Sequence, residues 1–319
     1  MDFIDVAIIG GGPAGLTAAA TLARQLHTAV VFDSKSYRNA NATSMHMVPG
    51  WENKNPQEFR SITKADIQSN YSTIQFADVE VTKIDKESDS HFKILDKNDK
   101  QWNFRKVILA VGSSDAFPDN IEGYADLWTK RIFHCLFCHG YEDKGATSVG
   151  VLAVFPVVIP ALAVHMAENA AQLSKTVSLY TNGDGELATQ LATQLASVQS
   201  AQFKIERRKI KRLAASKTSD SVIVEFDDGD QKEEKFLVHN PLTSVKGPFV
   251  DQLNIALTPI GDIQANAPML QTNVRGVFAA GDCITPYKVI PGAISSGCNA
   301  AVAASTQLQA EKYGQPPMC

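Results

Sequence analysis

The stretch Asp5-Val6-Ala7-Ile8-Ile9-Gly10-Gly11-Gly12-Pro13-Ala14-Gly15 decides the fold. It opens on a short apolar run, turns on glycines, and leads into an Ala-rich segment, residues 16–25, that reads as a helix. Residues 28–32 then read as the next strand, ending at Asp33. Strand, glycine turn, helix and strand make a βαβ unit with Gly10, Gly12 and Gly15 spaced as a dinucleotide fingerprint. Gly10 permits the tight turn, Gly12 lets backbone approach a pyrophosphate, and Gly15 lets helix and strand pack closely. The helix N-terminus offers unpaired N–H groups and the positive end of its dipole to phosphate. Asp33 is placed to accept hydrogen bonds from ribose hydroxyls. Glycine clusters also mark ordinary turns, so it is this context that gives the fingerprint its weight.

Further along, residues 106–111 read as an apolar strand ending at Gly112, and 113–118 as a linker. A second βαβ-like pattern spans 148–181, a charged, strand-rich stretch spans 203–236, and residues 240–248, with Pro241, Gly247 and Pro248, read as a second linker. Residues 274–280 form another buried-strand pattern, followed by Gly281-Asp282 and an Ala-rich helix over about 293–311. The expected fold is α/β: two Rossmann-like, three-layer dinucleotide-binding domains, the second inserted into the first. The outer one takes residues 1–114 and 248–319, the inserted one 115–247.

With 319 residues the chain exceeds what one core usually organises, which agrees with two domains. A hydrophobic content of 44% and a charged content of 20% are those of a globular protein. A net charge of −4 argues against nucleic acid as a partner. The basic run Arg207-Arg208-Lys209-Ile210-Lys211-Arg212 reads as a solvated strand face. Residues 149–167 approach membrane-span length but contain Pro156 and Pro160 and lack basic flanks, so no membrane partner is expected. No basic leader with a cleavage signature opens the sequence, and the expected address is cytoplasmic.

The second informative stretch is Phe133-His134-Cys135-Leu136-Phe137-Cys138-His139-Gly140-Tyr141-Glu142. Two residues between Cys135 and Cys138 let both sulfurs share one turn and close a small, reducible ring. A thiolate is the attacking species, so a working cysteine needs a helix N-terminus or a nearby cation. Imidazole titrates near neutral pH, which makes His139 the obvious local acid and base. Zinc is the alternative, since His134, Cys135, Cys138 and His139 are all ligand types. A tetrahedral site usually takes a second ligand pair from another segment, and the sequence has no second such pair, so no metal is expected. Cys283 and Cys298 read as small buried apolar residues and Cys319 as a terminal thiol. A dithiol and a dinucleotide fold on one chain imply electron transfer between sulfur and a bound redox cofactor.

Together with the first fingerprint and Leu109-Ala110-Val111-Gly112, the segment Thr272-Asn273-Val274-Arg275-Gly276-Val277-Phe278-Ala279-Ala280-Gly281-Asp282 resembles the two-domain flavoproteins of the thioredoxin reductase group. The resemblance implies FAD as cofactor, with Asp282 holding its ribityl chain beside Gly281. It places Gly10, Gly12, Pro13, Ala14, Gly15 and Asp33 on the nucleotide half, with Arg38, Asn39, Val81, Ala110 and Gly112 also lining the cofactor. Ala293 and Ile294 fall near the flavin ring by the same pattern, although Lys288-Val289-Ile290-Pro291 stands where reductases carry an Arg-Gln pair. His46, between Met45 and Met47, reads either as a residue at the flavin edge or as a hydrogen-bonded structural histidine. A homodimer is implied in the same way.

The likeness narrows on Cys135-Leu136-Phe137-Cys138-His139-Gly140-Tyr141-Glu142, on Asp33-Ser34 with Tyr37-Arg38-Asn39-Ala40, and on Met45-His46-Met47. These resemble the dithiol oxidases of the gliotoxin and holomycin type, which close a disulfide in a small natural product. Thioredoxin reductases normally have Asp after the second cysteine, where this chain has His139. An NADPH site also needs glycines after the strand that begins near Ser148, and basic residues after the following strand. The chain has Ala153, Phe155 and Val158 at the first place and Thr181-Asn182-Gly183-Asp184-Gly185-Glu186 at the second. The resemblance therefore implies a small-molecule dithiol as electron donor and dioxygen as acceptor. By the same likeness, Cys135 faces substrate and Cys138 the flavin.

Overall fold

The computed structural model describes residues 3–196 and 201–316. The chain divides into two compact units, Met1–Ser114 with Thr243–Cys319, and Asp115–Leu242. The second crossing falls at Leu242/Thr243, five residues before the position expected at 247/248, because the segment 240–248 is not a plain linker.

In the first unit the chain runs β1 (Ile4–Ile9), α1 (Pro13–Ala23), β2 (Ala29–Phe32), α2 (Pro56–Asn70), β3 (Ile74–Ala77), β4 (Val81–Ser88), β5 (His91–Asp96) and β6 (Gln101–Leu109). It leaves through β7 (Ser113–Ala116), a strand where a linker was expected. The second unit contains α3 (Tyr124–Leu127), β8 (Ile132–Phe133), β9 (Ala146–Leu152), α4 (Pro160–Ala171), β10 (Ser174–Tyr180), α5 (Gly185–Leu195), β11 (Phe203–Glu206), β12 (Ile210–Ala215), β13 (Val222–Phe226), β14 (Gln231–Glu234) and β15 (Leu237–Val238). The chain returns through β16 (Leu242–Val245) to α6 (Phe249–Leu253), β17 (Val277–Ala279) and α7 (Ile290–Tyr313).

The first unit's sheet has the order β3-β2-β1-β6, all parallel, and the long strand β6 serves two neighbours on its other edge. Its first half pairs antiparallel with β5 and its second half parallel with β17. Alternation along the strands sorts the core into two layers. Val6, Ile8, Val31, Ile108 and Phe278 pack under α1 and α7, while Ala7, Ile9, Val30, Phe32, Leu109 and Ala279 pack against the β4-β5 side. Gly297 brings α7 against α1: a Cβ there would meet the Ala14 carbonyl oxygen at 2.2 Å.

The second unit repeats the plan with a five-stranded parallel sheet, β11-β10-β9-β15-β8. Val149, Val151, Val177 and Leu179 face α4 and α5, while Leu152, Tyr180 and Leu237 face the antiparallel sheet β12-β13-β14. The basic run lies at β12 and the turn before it, and Arg208, Lys209, Lys211 and Arg212 are paired with nearby carboxylates. Arg208 pairs with Glu206 at 2.9 Å and Asp230 at 2.9 Å, and Arg212 with Glu225 at 2.7 Å. Among the described residues no helix is long and apolar enough to cross a membrane.

Candidate active site

The glycine turn between β1 and α1 has the geometry of a phosphate cradle. Gly10 has φ +122°, and a Cβ there would lie 2.2 Å from the Ala110 carbonyl oxygen. A Cβ on Gly15 would meet the Gly10 carbonyl oxygen at 1.9 Å, so this glycine sets how closely helix and strand pack. Gly12 differs from both: a Cβ there meets nothing within 4 Å. It is the N-cap of α1, with no side-chain cap, no acidic residue in the first turn, and Pro13 as the first helical residue. The first intrahelical bond comes from the Leu16 N–H to the Gly12 carbonyl, 2.9 Å, so the Ala14 and Gly15 N–H groups precede the ladder. An open approach ending on two such donors suits a pyrophosphate.

Asp33, at the end of β2, is buried and lies directly beneath this turn, since a Cβ on Gly11 would sit 2.4 Å from its carboxylate. Its oxygens accept from the Lys35 backbone N–H at 2.9 Å, the Lys35 ammonium at 3.0 Å and the Tyr37 hydroxyl. Burial, reinforced by the bond to Asp33, pushes the Tyr37 phenol above its ordinary range and keeps it a donor. The Arg60 guanidinium stacks 3.9 Å over the Tyr37 ring and donates to Asn39 Oδ1 at 3.0 Å. Lys35 and Arg60 are functional candidates that the sequence pattern does not single out, and Tyr37, present there only within a motif, joins them.

At the same edge of the sheet, Gly281 has φ +83° and starts the short turn that carries Asp282, and a Cβ on it would lie 3.0 Å from the Ala14 side chain. Arg38 lies 4.0 Å from the Asp282 carboxylate. The Gly281 N–H donates to Ser296 Oγ at 2.9 Å, and a Cβ on Gly281 would sit 3.9 Å from the Ala293 Cβ, which ties the turn to the first two turns of α7. Lys288 holds the turn from beneath: its ammonium, almost fully buried, reaches Asp262 at 3.0 Å, the Asp282 carbonyl at 2.8 Å and the Thr285 carbonyl at 2.9 Å. Ile294 packs with Ile290 against Met45, Val48 and Phe59. His46 Nδ1 is 2.7 Å from Glu52 Oε1. Val81 is buried at the start of β4, Ala110 is buried, and Gly112 has φ +72°.

In the second unit Cys135 and Cys138 form a disulfide, with Cα atoms 5.3 Å apart and both residues half-buried. The Cys135 carbonyl accepts from the N–H groups of Cys138 at 3.2 Å and His139 at 3.1 Å, a single turn reached directly from β8. Leu136 packs into the core while Phe137 is 73% exposed. The His139 ring stacks on Phe133 at 5.1 Å, and His134 lies 5.9 Å from Trp128. Just past β15, the neighbour of β8, His239 is fully buried, and burial holds its imidazole down at about 4. Its Nδ1 faces the Tyr124 hydroxyl at 2.7 Å and its Nε2 the Val154 carbonyl at 3.4 Å, which assigns a neutral ring protonated on Nε2. Among the described residues no group of three or more His, Cys, Asp or Glu could hold a metal.

The turn after β9 is apolar. Ala153 and Val157 are buried, whereas Phe155, Val158 and Ile159 are exposed. Ile159 is the N-cap of α4, and Pro160 follows as its first residue. At the end of β10, Asp184 caps α5 by accepting from the Leu187 N–H at 2.9 Å, with Glu186 in the first turn.

The sequence matches the pyridine nucleotide-disulphide oxidoreductase family over residues 4–305. The chain belongs to that family. It is 45% identical to thioredoxin reductase aclD of Aspergillus oryzae, covering 95% of this chain and 96% of the relative, and 41% identical to thioredoxin reductase tcpT of Claviceps purpurea, covering 98% and 97%. Among solved structures it superposes on an oxidoreductase from Agrobacterium tumefaciens with TM-score 0.86 and 29% identity, covering 98% and 100% of the two chains. HlmI gives TM-score 0.85 and 27% identity, covering 98% of this chain and 94% of that one.

This thioredoxin reductase-like oxidoreductase is an FAD flavoprotein, and its first unit fits that cofactor. The open face of Gly12 and the Ala14 and Gly15 donors suit the pyrophosphate. Asp33 lies under the same turn, and Asp282 is held on a braced loop. The Lys288–Asp262 pair was missed because residues 26 apart in sequence carry no joint pattern. Gly297, a glycine inside an Ala-rich helix, was a visible hint of close packing.

Proposed function

We propose that the chain is an FAD-dependent dithiol oxidase that closes a disulfide in a small molecule. The observation that carries this reading is the β9–α4 turn, where Phe155, Val158 and Ile159 replace the glycines that a nicotinamide pyrophosphate requires. Asp184 and Glu186 at the next strand end oppose a 2′-phosphate. Electrons then have no nicotinamide source in this unit and enter from thiols.

In the reaction, one substrate thiolate attacks Cys135 and displaces the Cys138 thiolate, giving a mixed disulfide. The second substrate thiolate attacks the substrate sulfur of that bond and releases Cys135 as a thiolate. The substrate leaves with its own disulfide, and the protein keeps two electrons on a reduced pair. His139 takes and returns the thiol protons. Bound FAD supplies a two-electron acceptor that dioxygen reoxidises, so the net change is a dithiol plus dioxygen to a disulfide plus hydrogen peroxide. Asp282 and Arg38 orient the cofactor and Asp33 its ribose.

Oxygen uptake with a dithiol such as reduced gliotoxin tests the reading. Cys135→Ser and Cys138→Ser each abolish it, and unchanged turnover in either variant refutes the role of the pair. The second reading, an NADPH-dependent disulfide reductase, draws on the names of the relatives and on the retained β9-α4-β10 unit. Anaerobic mixing separates the two: flavin bleached by NADPH within seconds supports the reductase, whereas bleaching by the dithiol alone supports the oxidase. We also propose a cytoplasmic homodimer, to be checked by sedimentation and by cell fractionation.

A further inference from the structure

The second unit carries its redox disulfide and its apolar turn on the same sheet edge. Val238 of β15 is in register with Phe133 of β8 on one side and Val151 of β9 on the other. Cys135 and Ala153 each follow two residues later, so both loops leave the C-terminal edge at one level, separated by the width of one intervening strand. Two strand spacings are about 10 Å. His239, just beyond Val238, pins both loops through its backbone N–H to the Phe133 carbonyl at 3.0 Å and its ring to the Val154 carbonyl at 3.4 Å. In parallel α/β sheets this edge is where ligands bind.

What the turn offers there is apolar. Phe155 is 66%, Ile159 59% and Val158 39% exposed, and Phe137, between the two cysteines, is 73% exposed. Single exposed hydrophobics are ordinary, but three within five residues are not. Ile159 also occupies a helix N-cap without any side-chain cap, where Ser, Thr, Asp or Asn would stabilise the helix. Helix stability therefore does not account for it. No charged residue occurs from 153 to 164, whereas the neighbouring strand end carries Asp184 and Glu186.

We propose that the β9–α4 turn binds the uncharged, apolar body of the dithiol substrate, with Phe155, Val158 and Ile159 as specificity-determining residues. The proposal rests on the dithiol oxidase reading and adds the chemistry of the substrate. Its ring system lies on the turn while its thiols reach the Cys135–Cys138 disulfide. Dithiols that carry carboxylates are disfavoured by Asp184 and Glu186. Four side chains fall far short of the roughly 20–30 residues a side of a stable protein interface, which favours a small molecule over a second chain.

Oxygen uptake by the holoenzyme is compared for 1,2-benzenedimethanethiol (apolar ring), dithiothreitol (no ring) and meso-2,3-dimercaptosuccinate (two carboxylates). The native protein should show the lowest KM for the aromatic dithiol and the highest for the succinate. Phe155→Ala and Ile159→Ser should each raise the aromatic KM about tenfold, one decade being the loss of one apolar contact of about 1.4 kcal/mol. Their kcat, FAD content and dithiothreitol KM should stay unchanged, which also shows that they fold. An unchanged aromatic KM overturns the proposal, as does a dimer-to-monomer shift in sedimentation with KM unaffected. If no dithiol supports oxygen uptake, the oxidase reading fails by itself. Calorimetric titration with 1,2-benzenedimethanol, the thiol-free analogue, still decides the turn: binding lost in both variants supports it, and no binding to the native protein refutes it.

Discussion

Gly12→Ala and Gly15→Ala should fail in opposite ways, although both change one hydrogen to a methyl in the same turn. At Gly15 the new Cβ would stand 1.9 Å from a backbone oxygen, where real contacts do not fall below 3.0 Å, and backbone cannot swing aside as a side chain can. Forced overpacking of this kind costs about 1–3 kcal/mol or more. At Gly12 the backbone is already extended, φ −79° and ψ −176°, and the methyl enters open space. Ala is a poorer N-cap than Gly, by about 0.5–1 kcal/mol, and it lowers unfolded-chain entropy by a similar amount, so the apoprotein should change little. The methyl instead occupies the approach to the Ala14 and Gly15 N–H groups. Losing two charge-assisted bonds of about 1.5–3 kcal/mol each weakens FAD binding at least about 100-fold. Thermal unfolding of the apoproteins and fluorescence titration with FAD separate the two effects. A Gly12→Ala protein that binds FAD with native affinity, or whose apoprotein melts as early as that of Gly15→Ala, refutes the reasoning.

Replacing Lys288 by Met strands the Asp262 carboxylate in the interior, an expected loss of about 3–5 kcal/mol, and weakens FAD binding by loosening the Asp282 turn; Lys288→Met with Asp262→Leu should recover most of the stability in a urea titration but not the affinity. His239 is held at about 4 in the folded chain against 6.5 when unfolded, so the unfolded state binds the extra proton between those values. Its contribution is whole above pH 6.5 and falls by about 3 kcal/mol on acidification to pH 4, a slope that His239→Gln should remove; parallel pH profiles for the two proteins would reject it. Burial pushes the Cys283 thiol up to about 12, so iodoacetamide at pH 8 should leave it unmodified in the native protein, as peptide mass mapping will show.

Much of the outer unit was legible because local signals agree there. The fingerprint glycines, the apolar strand before them and the Ala-rich helix after them each specify the same βαβ turn, and β1, α1 and β2 lie within three residues of their expected bounds. The apolar run 149–167 likewise divides into β9 and α4 with Pro160 at the helix start, where its ring fits. Linkers were less legible. Residues 113–118 and 240–248 have turn-rich composition, yet β7 and β16 form there, because strand pairing depends on a partner elsewhere in the chain. Of the two half-buried or buried cysteines outside the pair, Cys283 is fully enclosed and Cys298 only partly, a distinction composition does not carry. Cys319 lies outside the described residues.

The sequence by itself determined which chemistry is available: a glycine turn for a dinucleotide, a close cysteine pair, and a second turn that carries bulky apolar residues and no glycine. These are local facts, set by covalent spacing and by the presence or absence of a Cβ. Only the tertiary structure decided which distant residues brace them. Lys288 under the Asp282 turn, Arg60 over Tyr37, and His239 between the dithiol strand and the apolar turn all act across long sequence separations. A buried charge or imidazole is tolerable only where the fold delivers its partner, and no pattern along the chain records that delivery.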